Sequence, residues 1–134
     1  MTQEDKQLLL RDLCERLPYG VKLGFENSDL ILVPEEFNVY TKQLSTNQIY
    51  PKVDRAVIKH IYDVWNYRPY LRPMSSMTDE EETLFRCELP AIAKTDAQLV
   101  AMRMELFLKG HLDFNHLIEK GLALEAKEGM YKTE

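Results

Sequence analysis

Apolar residues near the start of the chain recur at three- and four-residue steps, as Leu9, Leu10, Leu13, Cys14 and Leu17. That spacing lines one face of a helix and predicts one from about Gln3 to Arg16. Thr2 fits the N-cap and Glu4 and Asp5 the acidic first turn, and Pro18 and Gly20 supply the stop. From Val21 the period drops to two. Val21, Leu23 and Phe25 alternate with Lys22, Gly24 and Glu26, Asn27-Ser28-Asp29 offers turn chemistry, and Leu30 to Val33 is apolar again. This predicts a β-hairpin over 21–33. Two strands alone are marginal in water, so others must join them, and Phe37 to Thr41 and Gln48 to Tyr50 are the candidates.

Past Pro51, the residues Val53, Val57, Ile58, Ile61, Val64 and Trp65 fall at helical steps and predict a helix over about 54–65. Val57, Ile58, Ile61 and Val64 are β-branched, so a strand stays open there. The segment Arg68-Pro69-Tyr70-Leu71-Arg72-Pro73-Met74 reads as an extended arm, because each proline pushes its predecessor out of the helical region. Thr78 with Glu81 three residues on is a capping box. It opens a short helix to about Cys87, which Pro90 is expected to end. A longer helix follows from about Asp96 to Lys109, with Val100, Met104, Phe107 and Leu108 on its strongest face and Gly110 as the left-handed residue beyond it. A last helix is expected from an Asp113 cap, with Leu112 and Leu117 as a hydrophobic staple, Gly121 after its end and Leu122 packed back on Leu117. The tail from about 125 is charged and expected to fray.

The fold class that follows is α+β in a single domain, 1–134. It has an N-terminal helix, a small antiparallel sheet made of the hairpin 21–33 plus one or two strands, and a helical C-terminal half. Composition agrees with one ordinary domain: the chain has 134 residues, 45% of them hydrophobic, with 17 Lys+Arg against 22 Asp+Glu. A net charge of −5 disfavours a nucleic-acid partner, which would call for clustered Lys and Arg. The dense acidic block Asp79-Glu80-Glu81-Glu82 reads as a helix start, where carboxylates complement the macrodipole. Neither a secretory signal nor a run of the ~18 apolar residues that a membrane span needs is visible. Cys14 and Cys87 lie far apart without metal-ligand spacing and read as reduced thiols. A cytoplasmic protein is the expectation.

Candidate chemistry is sparse. His111, Asp113 and His116, with Glu119 as a fourth group, could ligate zinc or iron, though the spacing is that of no metal motif; capping by Asp113 is the simpler reading. His60 and Asp63, three apart on the expected middle helix, could form an acid/base pair but lack a nucleophile beside them. Phosphate loop, dinucleotide fingerprint and nucleophile elbow are all missing, so no cofactor and no catalytic residue is assigned. The aromatic and arginine-rich stretch is the better candidate. Trp65, Tyr67, Arg68, Tyr70, Arg72 and Met74 are residue types enriched at protein interfaces, and they are the expected protein-binding residues. The competing reading pins the same arm across the core.

At Pro69-Tyr70-Leu71-Arg72-Pro73-Met74-Ser75-Ser76-Met77-Thr78 the sequence resembles a family of short uncharacterised proteins of gut Bacteroidetes and their phage-like mobile elements. The likeness extends to Leu8 to Leu13 with Leu17-Pro18-Tyr19-Gly20-Val21. Near the end it covers Asp113-Phe114, Leu117-Ile118, Lys120-Gly121-Leu122-Ala123 and Glu128-Gly129-Met130-Tyr131. Residues from Pro34 to about Asn66 depart from it. The resemblance implies a shared scaffold of caps, turns and prolines around a variable middle, and brings no functional residues. The function expected is a non-enzymatic interaction or accessory protein whose partner is another protein or a second copy. The alternative is a metal-binding protein or small enzyme using the histidine cluster.

Overall fold

A computed structural model describes residues 2–24, 31–34, 36–38, 43–46, 48–50, 60–63, 67–127 and 129–131. The first helix, α1 (Gln3–Arg16), has the predicted bounds. The Thr2 hydroxyl accepts from the Asp5 amide at 3.1 Å and the Asp5 carboxylate from the Thr2 amide at 3.4 Å, so two donors that every helix start leaves open are satisfied reciprocally. A 3-10 turn, Leu17–Tyr19, and Gly20 at φ +72° end it.

The hairpin forms as expected. Strand β1 (Leu23–Gly24) pairs antiparallel with β2 (Ile31–Val33), Leu23 opposite Leu32; the turn at 27–29 lies outside the described residues. Two more strands follow, β3 (Glu36–Asn38) and β4 (Gln43–Thr46), then β5 (Gln48–Tyr50), β6 (His60–Asp63) and β7 (Arg68–Leu71). Together with β8 (Leu124–Glu125) they make two sheets, one in the order β5-β2-β1-β7-β8 and one in the order β3-β4-β6. All pairings are antiparallel except β7 with β8.

Strand β6 corrects the helix expected over 54–65: residues 60–63 are extended and pair with all of β4, His60 opposite Thr46 and Asp63 opposite Gln43. Apolar spacing over a dozen residues fits either period, and β-branched side chains suit a pleated surface better than a helix, so the partner strand decides. Residues 51–59 and 64–66 lie outside the described residues.

The C-terminal half begins as a helical hairpin. Its first arm joins α2 (Asp79–Thr83), a π-helical stretch Leu84–Glu88 and α3 (Leu89–Ile92). The Thr78–Glu81 box is present in both directions, at 3.1 and 3.0 Å. Pro90 does not end this arm. The widened turn carries the chain past it, the Leu89 amide donating to the Leu84 carbonyl five residues back, and Pro90 sits in the first turn of α3, where no amide donor is needed. The return arm, α4 (Asp96–Lys109), has the predicted bounds and a Thr95 cap.

Beyond α4 the left-handed position falls one residue later than expected. Gly110 has φ −83°, and His111, at φ +55°, takes the turn. Its amide donates to the Leu108 carbonyl at 3.2 Å and the Leu112 amide to the Phe107 carbonyl at 2.9 Å, which is a Schellman closure. Gly110 is needed for space: a Cβ there would lie 2.7 Å from a Glu81 carboxylate oxygen. The last predicted helix is replaced by turns. His116, at φ +57°, reverses the chain between Leu112 and Leu117, and both of those leucines are fully buried. The end of the segment is nevertheless closed as expected, Leu122 to the Leu117 carbonyl at 2.9 Å and Gly121, at φ +73°, to that of Ile118 at 3.1 Å.

One core joins these pieces: Leu9 and Leu13 of α1, Val21 and Leu23, Tyr67 and Leu71, and Leu117, Leu122 and Ala123. Cys14 is exposed, off the buried face on which the periodicity puts it. No helix among the described residues is long and apolar enough to cross a membrane.

Candidate functional site

The end of α1, the end of β7 and the turns after α4 meet in a polar junction. Arg16 and Asp12 stand one turn apart on α1 and both are completely buried. The Arg16 Nε donates to Asp12 Oδ2 at 2.7 Å and Nη2 to the Leu112 carbonyl at 2.7 Å. Its guanidinium lies 4.9 Å from the centre of the Phe114 ring. Asp12 Oδ1 accepts from Asn115 Nδ2 at 2.9 Å, so both carboxylate oxygens are used. Arg16 Nη1 has no partner among the described residues. A charge this deep is tolerable only because it is paired and hydrogen-bonded.

Arg72 is a second clasp. Its backbone bridges to the turns, the amide donating to the His111 carbonyl and the carbonyl accepting from Asp113, each at 2.8 Å. Its guanidinium grips Glu81 through both oxygens, at 2.7 and 3.2 Å, and donates to the carbonyls of Gly110 and Ser76 at 3.0 and 2.8 Å. This fixes the helical hairpin to the sheet. Burial pushes the Glu81 carboxyl up, but the hydrogen bond from Arg72, the Thr78 amide and the Arg72 charge together outweigh it and hold the group below its ordinary 4.5.

His111 lies between these clasps. It is 8% exposed, its Nδ1 is buried without a partner among the described residues, and its ring stacks on Tyr131 at 3.7 Å and 17°. Burial first, and then the charges of Arg16, Arg72 and Lys22, depress its pKa to about 4, so the imidazole is neutral at pH 7.

The predicted metal-ligand set does not come together. Asp113 spends its two oxygens on the amides of Leu117 and Ile118, at 2.7 and 3.0 Å, and so ties a run of turns together in place of the expected helix cap. His116 is exposed while His111 is buried, and no cluster of three ligating side chains occurs among the described residues. His60 and Asp63 stand at opposite ends of the four-residue strand β6, where helical spacing no longer relates them.

The arm proposed for protein binding is drawn into the structure. Tyr67 and Tyr70 are buried, and a Cβ on Gly24 would run into the Tyr70 ring. Arg68 donates to the Gly121 carbonyl at 2.7 Å, Arg72 holds Glu81, and Met74 is half-buried at the head of a 3-10 turn; Trp65 lies outside the described residues.

Exposed apolar surface appears instead at the far end of the helical hairpin. Ile92, the last residue of α3, is 60% exposed and Val100, in the second turn of α4, is 64% exposed. Nothing in α2, the π-helical stretch or α3 is buried, and in α4 only Leu108 is. Phe85 stacks on Phe107 at 5.5 Å and Phe107 on Phe114 at 5.8 Å, so a file of rings runs from the hairpin into the junction. Arg103 lies over Phe85 at 4.2 Å and donates to its carbonyl. Sequence reasoning missed the hairpin end because Val100 falls on the face that periodicity assigns to the interior. No protein-family model, curated protein or solved structure matches the chain.

Proposed function

We propose that this chain is a non-enzymatic, cytoplasmic interaction or accessory protein that binds another protein through the end of its helical hairpin. The observation that carries this reading is the exposure of Ile92 and Val100 on neighbouring helices, in a hairpin otherwise anchored firmly through Arg72 and Glu81. An apolar end on an anchored arm can enter a partner's groove at little cost in conformational entropy. The aromatic stretch 67–74 then serves the contact indirectly, by fixing the hairpin to the sheet.

A photo-crosslinking residue placed at 92 or at 100 in the native host tests it. Adducts with one protein from both positions, lost in Ile92→Glu with an unchanged circular dichroism spectrum, are expected. Absence of adducts at both positions, together with loss of a co-purifying protein in Arg68→Ala, would move the contact back to the arm.

A further inference from the structure

The described part of the tail, residues 124–127 and 129–131, forms a strap. Strand β8 lies parallel on β7, and the Ala126 amide donates to the Leu71 carbonyl at 2.8 Å. The Tyr131 hydroxyl donates to the Tyr70 carbonyl at 2.7 Å and accepts the Lys22 amide at 2.8 Å. Lys22 reaches over to the Met130 carbonyl at 2.6 Å, with its ammonium 5.5 Å from the centre of the Tyr131 ring. Beneath that ring lies His111. Three cations act on it: Arg16 from α1, Lys22 from the segment before β1, and Arg72 from the end of β7. The nearby carboxylates are already engaged, Asp12 with Arg16 and Asn115, Glu81 with Arg72, and Asp113 with two amides.

We infer that the strap formed by residues 126–127 and 129–131 is a proton-released latch, closed over a neutral His111 ring and opened when that ring takes up a proton. A proton on His111 places a charge on a buried ring beside the cations Arg16, Lys22 and Arg72, where, among the described residues, the carboxylates of Asp12, Glu81 and Asp113 are already engaged. Lifting Tyr131 gives the new charge access to water. The left-handed backbone at His111 keeps its ring from retreating, since it is locked into the α4 closure by hydrogen bonds on both sides. Tyr131 is held by its hydroxyl and its ring face, and it is the part able to leave.

Depressed from 6.5 to about 4 by burial and by those three cations, the His111 titration sets the window. Below an ordinary imidazole pKa the open form takes up the proton first, so acid favours opening. The opening equilibrium should rise by up to about tenfold per pH unit from 6.5 towards 4.

Hydrogen exchange of the full chain, read at the amides of residues 126–131 and of α1 between pH 7.5 and 4 and corrected for intrinsic exchange, tests the latch. Expected is a progressive loss of protection in the strap while Leu9 to Leu13 keep theirs. His111→Asn, a residue that tolerates the left-handed backbone without titrating, should flatten the pH dependence. Tyr131→Phe keeps the stack and loses the hydroxyl bonds; it should open the strap about tenfold more at every pH and leave the slope unchanged. The latch is overturned by strap protection that is flat with pH, by the same slope in His111→Asn, or by strap and α1 losing protection together.

Discussion

Helices α1 and α4 are each fourteen residues long and each is opened by a threonine cap, yet they have opposite fates. α1 buries Leu9, Asp12, Leu13 and Arg16; α4 buries Leu108 alone. Their amphipathic patterns are alike. The neighbours differ: α1 shares a core with β1, β7 and the turns after α4, whereas α4 is backed by a short, half-exposed arm. Periodicity therefore tells which face a helix will offer, and the remainder of the fold settles whether anything covers it.

The sharpest way to break this comparison is through charge. Arg16→Ala leaves Asp12 buried without its cation and should cost about 3–5 kcal/mol in urea denaturation. Glu105→Ala removes the matching ion pair of α4, whose partners are mostly exposed, and should leave the denaturation midpoint nearly unchanged. Similar losses from the two would mean that α4 is as integral as α1. Among apolar residues, Leu9→Ala should cost about 2–5 kcal/mol and Val100→Ala almost nothing, read as the shift in denaturation midpoint.

Acid should expose the junction next. His111 is neutral in the fold and protonates near 6.5 once unfolded, so its contribution is complete above that pH and is lost as pH falls towards 4. The full difference is on the order of 3 kcal/mol. His111→Asn should remove this part of a stability profile measured from pH 7.5 to 4. Glu81 has the ordinary carboxylate sign: stability that it contributes above 4.5 disappears as pH falls through its lowered pKa, a loss that His111→Asn leaves in place. A local effect is expected from Thr78→Ala, about 1 kcal/mol, seen as faster amide exchange in α2 with no change in α1. A global loss would show that the hairpin and the core unfold as one unit.

Much of the fold was legible. The caps at Thr2 and Thr78, the bounds of α1 and α4 and the hairpin partners Leu23 and Leu32 all rest on short-range chemistry that a sequence displays directly. The misreadings share a cause. Residues 60–63 became a strand because β4 was there to pair with them, and Pro90 was carried through because a π-helical turn made room. Gly110 stayed right-handed because the closure of α4 falls at His111, and Gly110 instead leaves room for Glu81. Of the candidate site, a local hydrogen-bonding role for Asp113 and the alternative of an arm pinned across the core were readable, whereas the burial of Arg16 and the stack of His111 on Tyr131 were not. Those last contacts join residues far apart in the chain, and no local spacing encodes them.

By itself, then, the sequence determined where helices start and stop, which hairpin forms and how the chain is closed at Gly121, since each depends on hydrogen bonds spanning a few residues. Only the tertiary structure decided which charges are buried, which apolar face stays in water and where the tail lies. Burial is a property of what packs against a residue, and the free energy of a charge or a methyl group is set by that surrounding medium more than by its place in the chain.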